Sequence, residues 1–239
     1  MRVALLSDMH GNAVAFRAAL ADVERYDVDL IVSLGDVAQG GPQPQECVEL
    51  LRELGCPCVF GNSDDFLLTL DLGNEPVEDD ERRRRLFETA EWSRAQLGDE
   101  GLEFLRGFEP RVQTGGVLCC HATPLSNEEV ILPDTDRAEL ERALAVVDAA
   151  AVAAGHVHLQ WLRRVEGKLW FCVGSVGLVY EATAPLDPVP FLPWSEYAIV
   201  GDDLTVTFRR VPFDVDELIE AARAKDFPYI EHWSAQWRR

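Results

Sequence analysis

Positive charge is scarce in this chain of 239 residues: 22 Lys and Arg stand against 42 Asp and Glu, a formal net charge of −20. Binding to a nucleic-acid backbone rests on clustered Lys and Arg, so it is not expected as the main partnership. A phosphorylated ligand would be repelled as well unless cations sit in its pocket, and bound divalent metals supply such charge locally. The six cysteines, Cys47, Cys56, Cys58, Cys119, Cys120 and Cys172, include no Cys-x-x-Cys pair. Several lie in runs that read as buried strands, so free core thiols in a reducing compartment are expected. No stretch approaches the ~20 apolar residues of a membrane span. The first apolar run, residues 2–7, is too short for a signal peptide and leads straight into polar residues. A soluble, cytoplasmic protein is expected.

What is present is core material: 47% of the residues are apolar, enough for a large core without staples. Residues 2–7 suit a buried strand. Val14, Phe16, Ala18, Leu20 and Val23 then take helical spacing over 13–24, with Asn12 placed to cap. A second strand over 28–34, a helix over 45–54 and a third strand over 57–60 continue the alternation. Such a rhythm implies right-handed crossovers and a parallel sheet, whose ligands gather beyond the carboxyl ends of the strands. Asp8, Asp36 and Asn62 each fall just past such an end, so three polar residues reach one rim.

Residues 65–107 break the rhythm and read as helical, a lid-like insertion able to overhang that rim. Within them Glu78-Asp79-Asp80-Glu81 precedes Arg82-Arg83-Arg84-Arg85, each acid four residues before an arginine. That spacing favours a self-paired, solvated helix over a nucleic-acid patch. Strands resume at 117–120 and 150–154, and Asp134 or Thr135 caps a helix over about 136–147. Residues 159–165 and 168–173 form a hairpin about Glu166-Gly167, and 196–200 pairs with 203–211 about Gly201-Asp202-Asp203. Pro185, Pro188, Pro190 and Pro193 mark an irregular surface loop. Asp214-Val215-Asp216-Glu217 opens a last helix. The tail residues Phe227, Tyr229, Trp233 and Trp237 either pack on the body or form a subunit contact in a homo-oligomer. A single domain over 1–239 with two sheets is expected.

Four of the five histidines, His10, His121, His156 and His158, fall at predicted strand ends beside the rim residues. On an extended segment His156 and His158 face the same side. Together with Asp8, Asp36 and Asn62 they make two carboxylates, one amide and four imidazoles, with no thiolate. Such a set suits Mn, Fe or Zn, and a shared carboxylate at Asp36 lets seven residues serve two ions. Two ions ~3.5–4 Å apart can clamp a phosphoryl group for in-line attack.

The ordered series Asp8-x-His10, Gly35-Asp36, Gly61-Asn62-Ser63-Asp64, His121 and Gly155-His156-x-His158 resembles the calcineurin-like metallophosphoesterase superfamily. The match runs from the first strand past residue 175. Residues 35–44, the Gly174-Ser175-Val176-Gly177 loop and residues 208–214 resemble a bacterial branch related to diadenosine tetraphosphatases and small phosphodiesterases. The resemblance implies a four-layer α/β/β/α sandwich, two mixed sheets flanked by helices. It implies Asp8, His10 and His158 on one divalent ion, Asn62, His121 and His156 on a second, and Asp36 bridging. A hydroxide between the ions would attack phosphodiester or phosphoanhydride bonds in small nucleotide-type molecules.

The same resemblance gives Asn62 and His121 a part in stabilising the transition state, and Asp64 a part in orienting a neighbour, unless Asp64 is a helix cap. It puts Asn12, Ser63 and Ser175 toward the substrate, against a plain helix cap for Asn12 and a tight turn for Ser175. Ser63 stands where many relatives have a histidine thought to protonate the leaving group, help worth ~10²–10⁴-fold in rate. Its absence favours good leaving groups such as anhydrides or activated diesters. Residues 37–44 also lack the arginine with which protein Ser/Thr phosphatases clamp phosphate, which speaks against that activity. The rival readings are a protein-interaction scaffold on the same fold, and a phosphomonoesterase or protein phosphatase. Competent residues at every ligand position favour the enzyme.

Overall fold

A computed structural model of the chain describes residues 1–72, 77, 79–180 and 190–238. Apolar runs and turn residues alternate from the N-terminus, and the elements follow them. They are β1 (Val3–Leu6), α1 (Ala13–Val23), β2 (Leu30–Ser33), α2 (Pro44–Leu54), α3 (Asn62–Thr69) and α4 (Asp80–Arg106). Next come β3 (Val112–Thr114), β4 (Val117–Cys119), α5 (Arg137–Leu144), β5 (Ala151–Ala154), β6 (Gln160–Val165) and β7 (Lys168–Val173). The chain ends with β8 (Trp194–Val200), β9 (Val206–Pro212), α6 (Val215–Ala224) and α7 (Ile230–Ser234). No helix among the described residues is long and apolar enough to cross a membrane.

The strands form two mixed sheets, β2-β1-β8-β9 and β3-β4-β5-β7-β6. In the first, β1 runs parallel to β2 and antiparallel to β8. In the second, β5 lies parallel to both β4 and β7. The two-residue period of a strand sorts its side chains between layers. Val3 and Leu5 of β1 join Val117, Cys119, Ala151, Ala153 and Phe171 in a core between the sheets. Ala4 and Leu6 point the other way, onto Phe16, Val48, Leu51 and Leu105 of the helices. On the far face Val152, Ala154 and Trp170 pack against Leu140 and Leu144 of α5. The result is the four-layer α/β/β/α sandwich.

Two elements depart from the expected ones. The third strand, expected over 57–60, shrinks to two isolated bridges, Ser33 with Cys58 and Val59 with Glu109. Pro57 has no N–H to give a ladder, and Gly61 turns the chain into α3. The short β3 was not expected at all. The stretch 65–107 is two helices that share the first sheet's helical layer, through Phe66, Leu67, Ala90, Leu97 and Leu105, and Gly98 kinks the second one. In the charged run Arg85 pairs with Glu81 at 2.8 Å, whereas Glu78 lies outside the described residues. So do Pro185 and Pro188 of the expected proline loop. In the tail, Phe227, Trp233 and Trp237 are buried within the chain's own body.

A buried polar tie fastens α1 to the first sheet. Asp22 accepts from the Tyr197 hydroxyl at 2.8 Å and from Arg209 Nε and Nη2 at 3.0 and 3.1 Å. Burial alone would raise the Asp22 carboxyl, but the hydrogen bonds from Arg209 and Tyr197 outweigh it and hold the pKa below its ordinary 3.8. Asp22→Asn is expected to cost about 2 kcal/mol in urea unfolding at pH 7, since it leaves donors poorly matched. Because the folded pKa is lowered, the wild-type advantage is full above pH 3.8 and fades as pH falls below it.

Candidate metal centre

The carboxyl ends of β1 and β2 open onto one rim, and the loops beyond them are laced together. Asp8 N–H donates to Gly35 O, His10 N–H to Asp36 O and Gly11 N–H to Val37 O, each at 2.9 Å. The price of that lacing is backbone strain. Asp8, His10, Asp36, His156 and His158 all take positive φ, between 46° and 68°, a region where a non-glycine residue costs on the order of 1–3 kcal/mol. The segment around His156 and His158 is therefore not the extended one expected from the sequence. Left-handed turns, rather than strand alternation, aim both rings inward.

Two groups of atoms converge there. In the first, His10 Nε2 lies 3.0 Å from His158 Nε2, 3.7 Å from Asp8 Oδ1 and 3.6 Å from Asp36 Oδ2. His158 Nε2 is 3.1 Å from Asp8 Oδ1. In the second, His121 Nε2 lies 2.9 Å from Asn62 Oδ1 and 3.4 Å from Asp36 Oδ1, and His156 Nδ1 is 3.0 Å from the same Asn62 oxygen. Asp36 offers one oxygen to each group. All seven metal ligands expected from the sequence thus meet at one place.

Backbone carbonyls set which nitrogen of each ring is bare. His10 Nδ1 faces Gln39 O at 2.7 Å, His121 Nδ1 faces Leu34 O at 2.7 Å, and His158 Nδ1 faces Leu178 O. His156 is reversed: its Nε2 faces Glu128 O at 3.1 Å. A carbonyl can only accept, so each ring donates outward and, when neutral, turns a lone pair inward. Lone pairs facing lone pairs and carboxylate oxygens at about 3 Å repel unless a cation lies between them. Asp8 Oδ1 is fully buried and receives no hydrogen bond. The donor set fits a divalent cation.

Protonation answers the same pressure. Burial alone would raise the Asp36 carboxyl, yet His121, His10 and the Ser63 hydroxyl hold it far below the carboxylate range. Burial would lower His121, but the adjacent Asp36 overrides it and lifts the ring to about 10. His156 is pushed down to about 4 by burial and by His121. Without metal, a proton on His121 therefore does part of the cation's work.

The supporting residues do not all lie where the sequence suggested. Ser63 lines the cavity, but both its N–H and its hydroxyl donate to Asp36, at 2.8 and 2.7 Å. Asp64 is fully buried and accepts N–H groups of Asp36, Val37 and Gly61 at 2.8–3.0 Å. It braces the Asp36 loop and caps α3, and it has no access to a substrate. Asn12 is also fully buried; it caps α1 through Ala15 N–H and donates to Gly177 O, both at 2.9 Å. Ser175, equally buried, donates to Asp8 O and accepts from Leu178 N–H. Asn12 and Ser175 hold the loops together, and neither lines the cavity.

Above the ligands opens a cavity of about 750 Å³, within the size range of small-molecule sites. Its far walls come from α4, with Arg82, Arg85 and Leu86, and from the tail, with Phe227 and Trp233. None of these was singled out as a site residue from the sequence, although the four-arginine run was a visible signal. Trp233 Nε1–H also donates to Gly40 O at 3.1 Å, next to the Gln39 carbonyl that orients His10.

Two outcomes are expected. A Cβ on Gly61 would lie 2.1 Å from Asp36 Oδ1, so Gly61→Ala should weaken Mn(II) binding about tenfold or more in calorimetry, with circular dichroism unchanged. Metal must also displace the His121 proton, so Mn(II) affinity should rise about tenfold per pH unit between pH 6 and 8, with about one proton released per ion held by His121. A flat pH profile would remove that reading of His121.

Residues 1–186 match the calcineurin-like phosphoesterase superfamily domain. An uncharacterized protein of Methanocaldococcus jannaschii is 27% identical over 231 residues, 91% of this chain and 90% of that one. The crystal structure of a metallophosphoesterase from Sphaerobacter thermophilus superposes with a TM-score of 0.77 at 26% identity, covering 99% of both chains. A hypothetical protein from Pyrococcus horikoshii OT3 superposes with a TM-score of 0.82 at 20% identity, over 99% of this chain and 98% of its own. With the family's domain covering more than three-quarters of its length, the chain belongs to the calcineurin-like phosphoesterase superfamily.

Proposed function

We propose that the protein is a metal-dependent hydrolase of phosphodiester or phosphoanhydride bonds in small, nucleotide-type molecules, working with two divalent ions of the Mn, Fe or Zn type. The observation that carries this reading is the sharing of Asp36 between two groups of inward-facing lone pairs at the base of an open cavity. Asp8, His10 and His158 would hold one ion, Asn62, His121 and His156 the other, with Asp36 common to both. When bound, such a pair activates water and neutralises charge on a phosphoryl group in line with it. The metallophosphoesterase of Sphaerobacter thermophilus supports the assignment by its fold and its identity to this chain.

The chain's own part is orientation and exclusion. Carbonyls of Leu34, Gln39, Glu128 and Leu178 keep the four rings in the tautomers that present bare nitrogens. Ser63 and Asp64 hold Asp36 from two sides. With the Ser63 hydroxyl donated to Asp36, this position does not protonate a leaving group, which favours anhydrides and activated diesters. Walls from α4 and the tail suit a small molecule better than a folded protein substrate. The six free cysteines, five of them buried, support work in a reducing, cytoplasmic compartment.

The assay is hydrolysis of bis-p-nitrophenyl phosphate and of dinucleoside polyphosphates by protein supplied with manganese, iron or zinc. Turnover is expected with wild type and a loss of about 10²-fold or more with Asp36→Asn. No turnover with any of the three metals, or equal rates for the two proteins, would turn the assignment toward a non-catalytic scaffold.

A further inference from the structure

The four consecutive arginines of α4 do not share one environment. A helix brings residues three and four apart onto one face. Arg82, Arg85, Leu86 and Thr89 keep that spacing, and all four line the cavity above the metal centre. Arg83 and Arg84 are exposed and do not line the cavity; Arg83 lies over the Phe87 ring at 5.4 Å, and Arg84 reaches Tyr229. The Arg85 side chain is only 15% exposed, and its 2.8 Å pair with Glu81 pins the guanidinium at the wall. Two inward guanidinium groups in a chain of net charge −20 are a local exception to its electrostatics.

From this geometry we infer that Arg82 and Arg85 form a second anion subsite, so that the substrate carries another phosphate besides the one at the metal centre. The inference rests on the phosphoester reading above and narrows it to organic di- and polyphosphates. Guanidinium is suited to the task because its planar fork matches phosphate oxygens two at a time. The same cavity holds the carboxylates of Asp65, Asp71 and Glu128. Asp65 has its pKa raised by burial and by those two neighbours. Of these lining groups the guanidinium groups attract an anion and the carboxylates repel it. In the same lining Leu86, Phe66 and Trp233 offer apolar surface to the organic part of the molecule.

The test is calorimetric binding, with manganese present, of inorganic phosphate and of the non-hydrolysable α,β-methylene analogue of adenosine diphosphate. The expected result is that Arg82→Gln/Arg85→Gln binds the analogue about tenfold more weakly than wild type, while phosphate affinity stays within about twofold. Arg83→Gln/Arg106→Gln removes the same charge from the same helix at exposed positions outside the cavity lining and should leave both affinities unchanged. Equal weakening by the two double variants would overturn the subsite in favour of a diffuse field. So would parallel loss of phosphate and analogue binding, or a wild-type protein that binds the analogue no tighter than phosphate. Arginine-dependent binding of the analogue with no phosphate binding would uphold the subsite and remove the phosphoester reading instead.

Discussion

Everything at the rim follows from one electrostatic conflict. Asp8, Asp36, Asn62 and four imidazoles turn lone pairs toward each other at separations of about 3–4 Å, and all but Asn62 and His156 are buried. Left alone, such an arrangement is unfavourable, because buried like partial charges are poorly screened. The fold persists with it because other interactions surround each ligand and leave it no other direction to face. Protonation of His121 relieves part of the repulsion, and a cation relieves more of it. Such an arrangement favours a cation at its centre.

Holding that arrangement needs more than the seven ligands. Five of them sit in left-handed backbone, and the strain is distributed over hydrogen bonds between the loops after β1 and β2. Asp64 takes three amide donors around Asp36, Ser175 bridges Asp8 to Leu178, and Asn12 ties the start of α1 to Gly177. Two glycines make room: a Cβ on Gly61 would strike Asp36, and one on Gly155 would come within 1.9 Å of Ser7 Oγ. These polar residues are buried as deeply as the apolar core, and their work is to remove alternatives.

The two sheets and the strand ends that carry the polar residues were readable because they depend on local pattern. Apolar runs mark β1, turn residues mark the β6–β7 and β8–β9 hairpins, and helical spacing marks α1. Polar residues placed after those runs must emerge at the same rim. What was not readable depends on the third dimension. Asn12 and Ser175 have the chemistry of substrate contacts, and only their burial shows that they brace loops instead. The carbonyls of Leu34, Gln39 and Leu178 that choose each tautomer belong to backbone, which carries no residue signature. His156 and His158 were rightly paired but for the wrong geometric reason, since turns rather than an extended segment direct them. The arginine run showed its charge but not that one half of it faces inward.

That last point bears on how the cavity is built. Helix α4 is a structural member for much of its length: Ala90, Leu97, Leu102 and Leu105 belong to the helical layer's core. Its first turns, before that core begins, carry the arginines to the cavity wall. The C-terminal tail has the same double character, for Trp233 is packed with Phe227 and Trp237 while its indole N–H holds Gly40. Gly40 follows Gln39, whose carbonyl orients His10. Wall and ligand are therefore mechanically joined, through one indole hydrogen bond and one peptide. A shift of the tail that widened the cavity would also disturb the ring facing Asp8 and Asp36.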